Sequence, residues 1–115
     1  MILAIVDDLM FTSKIKAAAN QLGVSVVFAR SKEAALAEMR KQVPARVILD
    51  LNSGRTEPLN IVGAMKQDPT LAVTPTVGFV SHVRTDIISA ARQAGIDEVL
   101  ARSAFTERLA DILTS

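Results

Sequence analysis

Five short runs of β-branched and other apolar residues, each followed by a stretch whose apolar residues recur every three or four positions, predict a doubly wound α/β domain. Two further observations support this class. The 115 residues suffice to bury a core as a single domain, 1–115, and with no Cys there is no disulfide framework or Cys-based zinc site to replace one. The strand–helix alternation itself calls for parallel strands, because each right-handed crossover packs its helix back onto the sheet.

Taken in order, residues 2–6 form the first strand and run into the acidic pair Asp7 and Asp8. Phe11, Ile15, Ala18 and Leu22 mark one face of a helix that Gly23 ends in the left-handed position. Residues 24–28 are a short β-branched strand, and Ser31 caps a second helix carrying Ala35, Leu36, Met39 and Val43 until Pro44 stops it. The third strand, 46–50, ends in Asp50, and the Asn-Ser-Gly that follows Leu51 reads as a turn. Pro58 suits the first turn of a third helix with Leu59, Ile61, Val62 and Met65 inward, broken at Asp68-Pro69. Residues 76–80 are nearly all apolar, as a central strand covered on both faces would be, and Gly78 within them suggests close packing. Ile87, Ile88, Ala91 and Ala94 belong to a fourth helix closed by Gly95. Residues 98–101 are the last strand, and a fifth helix from near Ser103 turns Phe105, Leu109, Ile112 and Leu113 inward. The expected architecture is flavodoxin-like: five parallel strands in the order 2-1-3-4-5 with five helices, which sets strands one and three side by side at a switch point.

Composition narrows the function. Thirteen basic residues against twelve acidic give a net charge of +1, with no Lys/Arg cluster long enough for a nucleic-acid footprint. The apolar runs are about five residues long, against roughly twenty for a membrane span. No basic region precedes the first of them, and Asp7-Asp8 interrupts it early, which argues against a secretory signal. A soluble, cytoplasmic domain is expected, with neither nucleic acid nor membrane as partner.

With strands one and three adjacent, Asp7, Asp8 and Asp50 converge at the carboxyl edge of the sheet. Like charges a few ångströms apart repel, so such a cluster calls for something that offsets it. A hard divalent cation does so: Mg²⁺ takes oxygen ligands, one or two of them carboxylates, and the Asn52 carbonyl could add another. A carboxylate beside it can act as a nucleophile toward a phosphoryl group. Helix capping or turn formation would explain any one of these aspartates singly, but explains three at neighbouring strand ends less well.

The acidic pair after strand one, Asp50 after strand three and the five β-α units together resemble the receiver domain of bacterial response regulators, over the whole chain. The resemblance implies that Asp7 and Asp8 hold Mg²⁺, with Asp50 and the Asn52 carbonyl completing the metal shell. It also implies that Asp50 accepts a phosphoryl group from a sensor histidine kinase or phosphotransfer protein, and that a downstream protein reads the result. Homodimers through the fourth and fifth elements are common in that family. The chain departs from the family's pattern in the loop after Asp50, at Ser103 where a proline is usual, and at three switch positions. Val80 stands where a Thr or Ser hydroxyl is usual, with Ser81 one residue later. Arg102 replaces a lysine, exchanging a point ammonium for a planar fork, and Val99 replaces an aromatic residue. The implied function is thus a phosphoacceptor module, not an enzyme, with an atypical switch; the alternative is a phosphorylation-independent pseudo-receiver that only docks partners. A Mg²⁺-dependent phosphohydrolase fits less well, because Asn52 stands where a second acid is needed and no glycine-rich phosphate loop is present. His82, the only histidine, reads as a solvated loop residue rather than a phosphoryl contact or pH gate.

Overall fold

A computed structural model describes residues 1–81 and 84–115. The strands are β1 (Ile2–Ile5), β2 (Val26–Ala29), β3 (Arg46–Asp50), β4 (Thr76–Val80) and β5 (Glu98–Ala101), all parallel, in the order β2-β1-β3-β4-β5. They alternate with α1 (Leu9–Leu22), α2 (Lys32–Lys41), α3 (Pro58–Gln67) and α4 (Thr85–Ala94), and the chain ends in α5 (Arg102–Glu107) and α6 (Leu109–Thr114). This is the doubly wound sheet expected from the sequence, with one helix more. The predicted fifth helix divides at Arg108, whose φ −97° and ψ 9° leave the helical region where its guanidinium reaches Glu98 on β5 at 2.6 Å.

The two-residue alternation along the strands divides the core into two layers. Leu3 and Ile5 of β1, with Val47 and Leu49 of β3, pack with Ile61, Val62 and Met65 of α3 and Ala91 of α4. Ile2, Ala4 and Val6, with Ile48 of β3 and Phe79 of β4, pack on the other face with Phe11 and Ile15 of α1, Phe105 of α5 and Leu109, Ile112 and Leu113 of α6. Every residue of β4 is buried, as a strand covered on both faces must be.

Local signals are met closely. Asp8 and Ser31 cap α1 and α2 by accepting from the N–H of Phe11 and Ala34, and Pro58 opens α3. Gly23 and Gly95 take the left-handed conformation after α1 and α4, with φ 70° and 107°. Some boundaries move. β2 begins at Val26 rather than residue 24, because Val24 N–H still bonds the Ala19 carbonyl at 2.9 Å in the helix exit. Ala19 is buried on α1 while Leu22 is exposed, and Val43 is exposed because α2 stops at Lys41.

Candidate functional site

Register brings the three acids to one edge. Ile5 pairs with Leu49, so the residues leaving β1 and β3 emerge side by side. Asp7, Asp8 and Asp50 line a cleft of ≈ 340 Å³ together with Asn52, Ser53, Gly54, Arg55 and Arg102. A second, more apolar hollow of ≈ 440 Å³ between the loop after β3, α3 and α4 shares Asn52, Ser53 and Gly54 with it.

Each acid is held differently. Asp50 is buried, 3% exposed, and its Oδ1 accepts from Asn52 N–H at 2.9 Å and Asn52 Nδ2 at 3.1 Å. Among the described residues it has no ion-pair partner, and its Oδ2 accepts no hydrogen bond. Asp8 does two jobs: Oδ1 accepts from Phe11 N–H at 3.1 Å, while Oδ2 faces Arg102 Nη2 at 3.7 Å. Asp7 Oδ1 lies 3.6 Å from both Arg30 Nη2 and Arg55 Nη1, and this buried atom accepts no hydrogen bond among the described residues.

Arg102, the first residue of α5, is held at the cleft wall by aromatic rings. Its guanidinium carbon lies 4.7 Å from the Phe11 ring centre and 5.9 Å from that of Phe79. Phe79 in turn stacks on Phe11 and Phe105, each at 4.6 Å. Such contacts add about 0.5–1 kcal/mol each where partly solvated, and they fix a side chain that is otherwise rich in rotamers. The ion-pair partner of Arg102 is Asp8, at 3.7 Å, rather than Asp50.

The altered positions find other uses. Val80 is fully buried in the layer facing α3 and α4, and Val99 packs partly buried against the same layer. Ser81 does turn back toward the site: its N–H and Oγ donate to Asn52 Oδ1 at 3.2 and 3.0 Å. The Asn52 side chain therefore joins Ser81 to Asp50, whereas the sequence reading used only its carbonyl. His82 lies outside the described residues.

The donors fit a hard divalent cation in kind: the carboxylates of Asp7, Asp8 and Asp50, with Asp7 Oδ1 buried and unbonded, and the Asn52 carbonyl are all oxygens. They are not drawn together as they stand. Among the described residues no group of three acidic side chains is close enough to hold an ion. Three guanidinium groups, of Arg30, Arg55 and Arg102, supply the offsetting charge instead. Arg30 and Arg55 were missed by sequence reasoning, although one follows β2 and the other lies in the loop after β3, and all parallel strands deliver their ends to the same edge.

No protein-family model and no curated protein matches the sequence. Solved structures do. The chain is similar to the phosphorylated cyanobacterial phytochrome response regulator RcpA, with TM-score 0.81 and 25% identity over 97% of this chain and 86% of that one. A response regulator from Hahella chejuensis superposes with TM-score 0.87 at 18% identity, over 98% of this chain and 91% of the other. The Mn²⁺-bound form of response regulator Rcp1 gives 0.81 at 18% identity, over 99% and 94%. No helix among the described residues is long and apolar enough to cross a membrane. By its strand order, its two-layered core and these likenesses, the chain has the receiver-domain fold of the response regulators.

Proposed function

We propose that this domain is a cytoplasmic phosphoacceptor module of a two-component phosphorelay, a signalling element rather than an enzyme. It takes a phosphoryl group on Asp50 from a sensor histidine kinase or phosphotransfer protein and presents its state to a downstream protein partner. The observation that carries this reading is the setting of Asp50: a buried carboxylate with one oxygen fixed by Asn52 and the other unbonded among the described residues, in a cleft lined by two more acids and two arginines.

In the transfer, Asp50 Oδ2 forms a bond to phosphorus as the bond between phosphorus and the donor's imidazole nitrogen breaks, leaving an acyl phosphate and a free imidazole. Asn52 fixes the direction of attack by holding Oδ1 with two hydrogen bonds. Mg²⁺, held by Asp7, Asp8, Asp50 and the Asn52 carbonyl, would offset the charge of the phosphoryl oxygens against the acids. Arg102, fixed on Phe11 and Phe79, offers a further cation at the cleft wall. A second reading, a pseudo-receiver that docks partners without phosphorylation, is favoured by the guanidinium groups already neutralising Asp7 and Asp8 and by the buried Val80.

Acetyl phosphate with Mg²⁺, followed by intact-mass analysis, separates the two. One phosphoryl group on the wild type and none on Asp50→Ala is expected; an unmodified wild type selects the pseudo-receiver, and a modified Asp50→Ala displaces Asp50 as the acceptor.

A further inference from the structure

The primary amide of Asn52 is engaged at both ends. Its nitrogen donates to Asp50 Oδ1, and its oxygen accepts two donors from Ser81, the backbone N–H and the hydroxyl. This orientation is set by the network: a flipped amide would turn its oxygen toward the carboxylate and its NH₂ toward the Ser81 N–H, with repulsion at both ends. Ser81 is the residue that follows β4, and Val80 before it is buried in the core with no polar atom to offer the cleft.

We propose that the Asn52 side chain is a positioning residue that carries the state of Asp50 to the end of β4, so that Ser81 senses phosphorylation through an amide relay rather than by touching the phosphoryl group. The inference rests on Asp50 being the acceptor. Phosphorylation at Oδ2 converts Oδ1 from a carboxylate oxygen to the carbonyl oxygen of an acyl phosphate. Hydrogen bonds to a charged acceptor are roughly twice as strong as those between neutral groups, so Nδ2 is released or drawn to a phosphoryl oxygen. The amide is rigid and planar, and displacing its nitrogen displaces its oxygen. Both Ser81 donors must then follow or break. A conformational equilibrium shifts only by such differential contacts, and Asn52 supplies one on the side where Val80 supplies none.

The test uses the full chain, with amide NMR shifts recorded with and without beryllofluoride and Mg²⁺. In the wild type the Ser81 amide should move together with those of Asp50 and Phe11, the last of which reports on the Asp8 side of the cleft. Asn52→Ala keeps the backbone N–H and carbonyl of residue 52 but removes the relay. It should retain the Phe11 shift and lose the Ser81 shift. Ser81→Ala keeps one of the two donors and should retain part of the shift at its own amide. A Ser81 shift undiminished in Asn52→Ala overturns the relay, as does simultaneous loss of the Phe11 and Ser81 shifts, which would place Asn52 in the binding of the anion itself. Absence of any shift in the wild type, or equal shifts in Asp50→Ala, would instead remove the acceptor assignment beneath it.

Discussion

Replacing Asp8 separates its structural role from its chemical one. Its Oδ1 caps α1 through the Phe11 N–H, and its Oδ2 faces Arg102. Asp8→Ala removes both. Loss of the cap costs about 1 kcal/mol. The ion pair, between side chains 34% and 36% exposed and 3.7 Å apart, adds at most about 0.5 kcal/mol after solvent screening. Asp8→Asn keeps the cap, since Asn and Asp are comparable there, and loses the negative charge, with its weak ion pair to Arg102 and its favourable place at a helix N-terminus, the latter worth about 0.3–1 kcal/mol. Relief of repulsion from Asp7 and Asp50 offsets part of that. The expected result, from thermal unfolding followed by far-ultraviolet circular dichroism with chelator present, is a Tm lowered by about 3–8 °C in Asp8→Ala and by about 3 °C or less in Asp8→Asn. Titration with Mn²⁺ should show weakened binding in both variants. Equal destabilisation by Ala and Asn would refute the cap argument, and an unchanged Mn²⁺ affinity in Asp8→Asn would remove its carboxylate from the metal site.

Other expectations follow from single contacts. A Cβ on Gly78 would lie 2.8 Å from Leu51 Cδ1, so Gly78→Ala should cost about 1–3 kcal/mol in denaturant unfolding and should be partly rescued by Leu51→Ala; strictly additive effects would show that this contact is not the cause. Glu57 precedes α3 with φ 50°, so Glu57→Gly should raise the unfolding midpoint by relieving about 1 kcal/mol of left-handed strain, less the exposed bond from Asn60; a lowered midpoint counts against it. Arg55 is 69% exposed and faces Asp7, so Arg55→Gln should leave the fold intact and tighten Mn²⁺ binding about threefold, whereas unchanged affinity would mean that the guanidinium does not compete with the cation. Beryllofluoride should perturb residues 84–108 only slightly, because buried Val80 and the non-aromatic Val99 offer it no contact; large shifts across that face would mean that Ser81 or Arg102 drives a wider change.

The fold was legible in the sequence because its signals are local: β-branched runs, helical periodicity, Ser31 and Asp8 as caps, Gly23 and Gly95 as helix exits. The convergence of Asp7, Asp8 and Asp50 on one cleft was legible too, since parallel strands deliver all their ends to one edge. What occupies the space between those acids was not. Arg30, Arg55 and Arg102 come from three different loops or element starts, and their side chains choose partners by reach, which no spacing along the chain encodes. The two pieces of the last helix share one apolar stripe, so only the turn of Arg108 toward Glu98 reveals the break. Ser81 follows the same logic: alternation along a continued strand would turn the residue after Val80 to the opposite face, but the strand ends at Val80, and beyond that point the side chain goes where Asn52 accepts it.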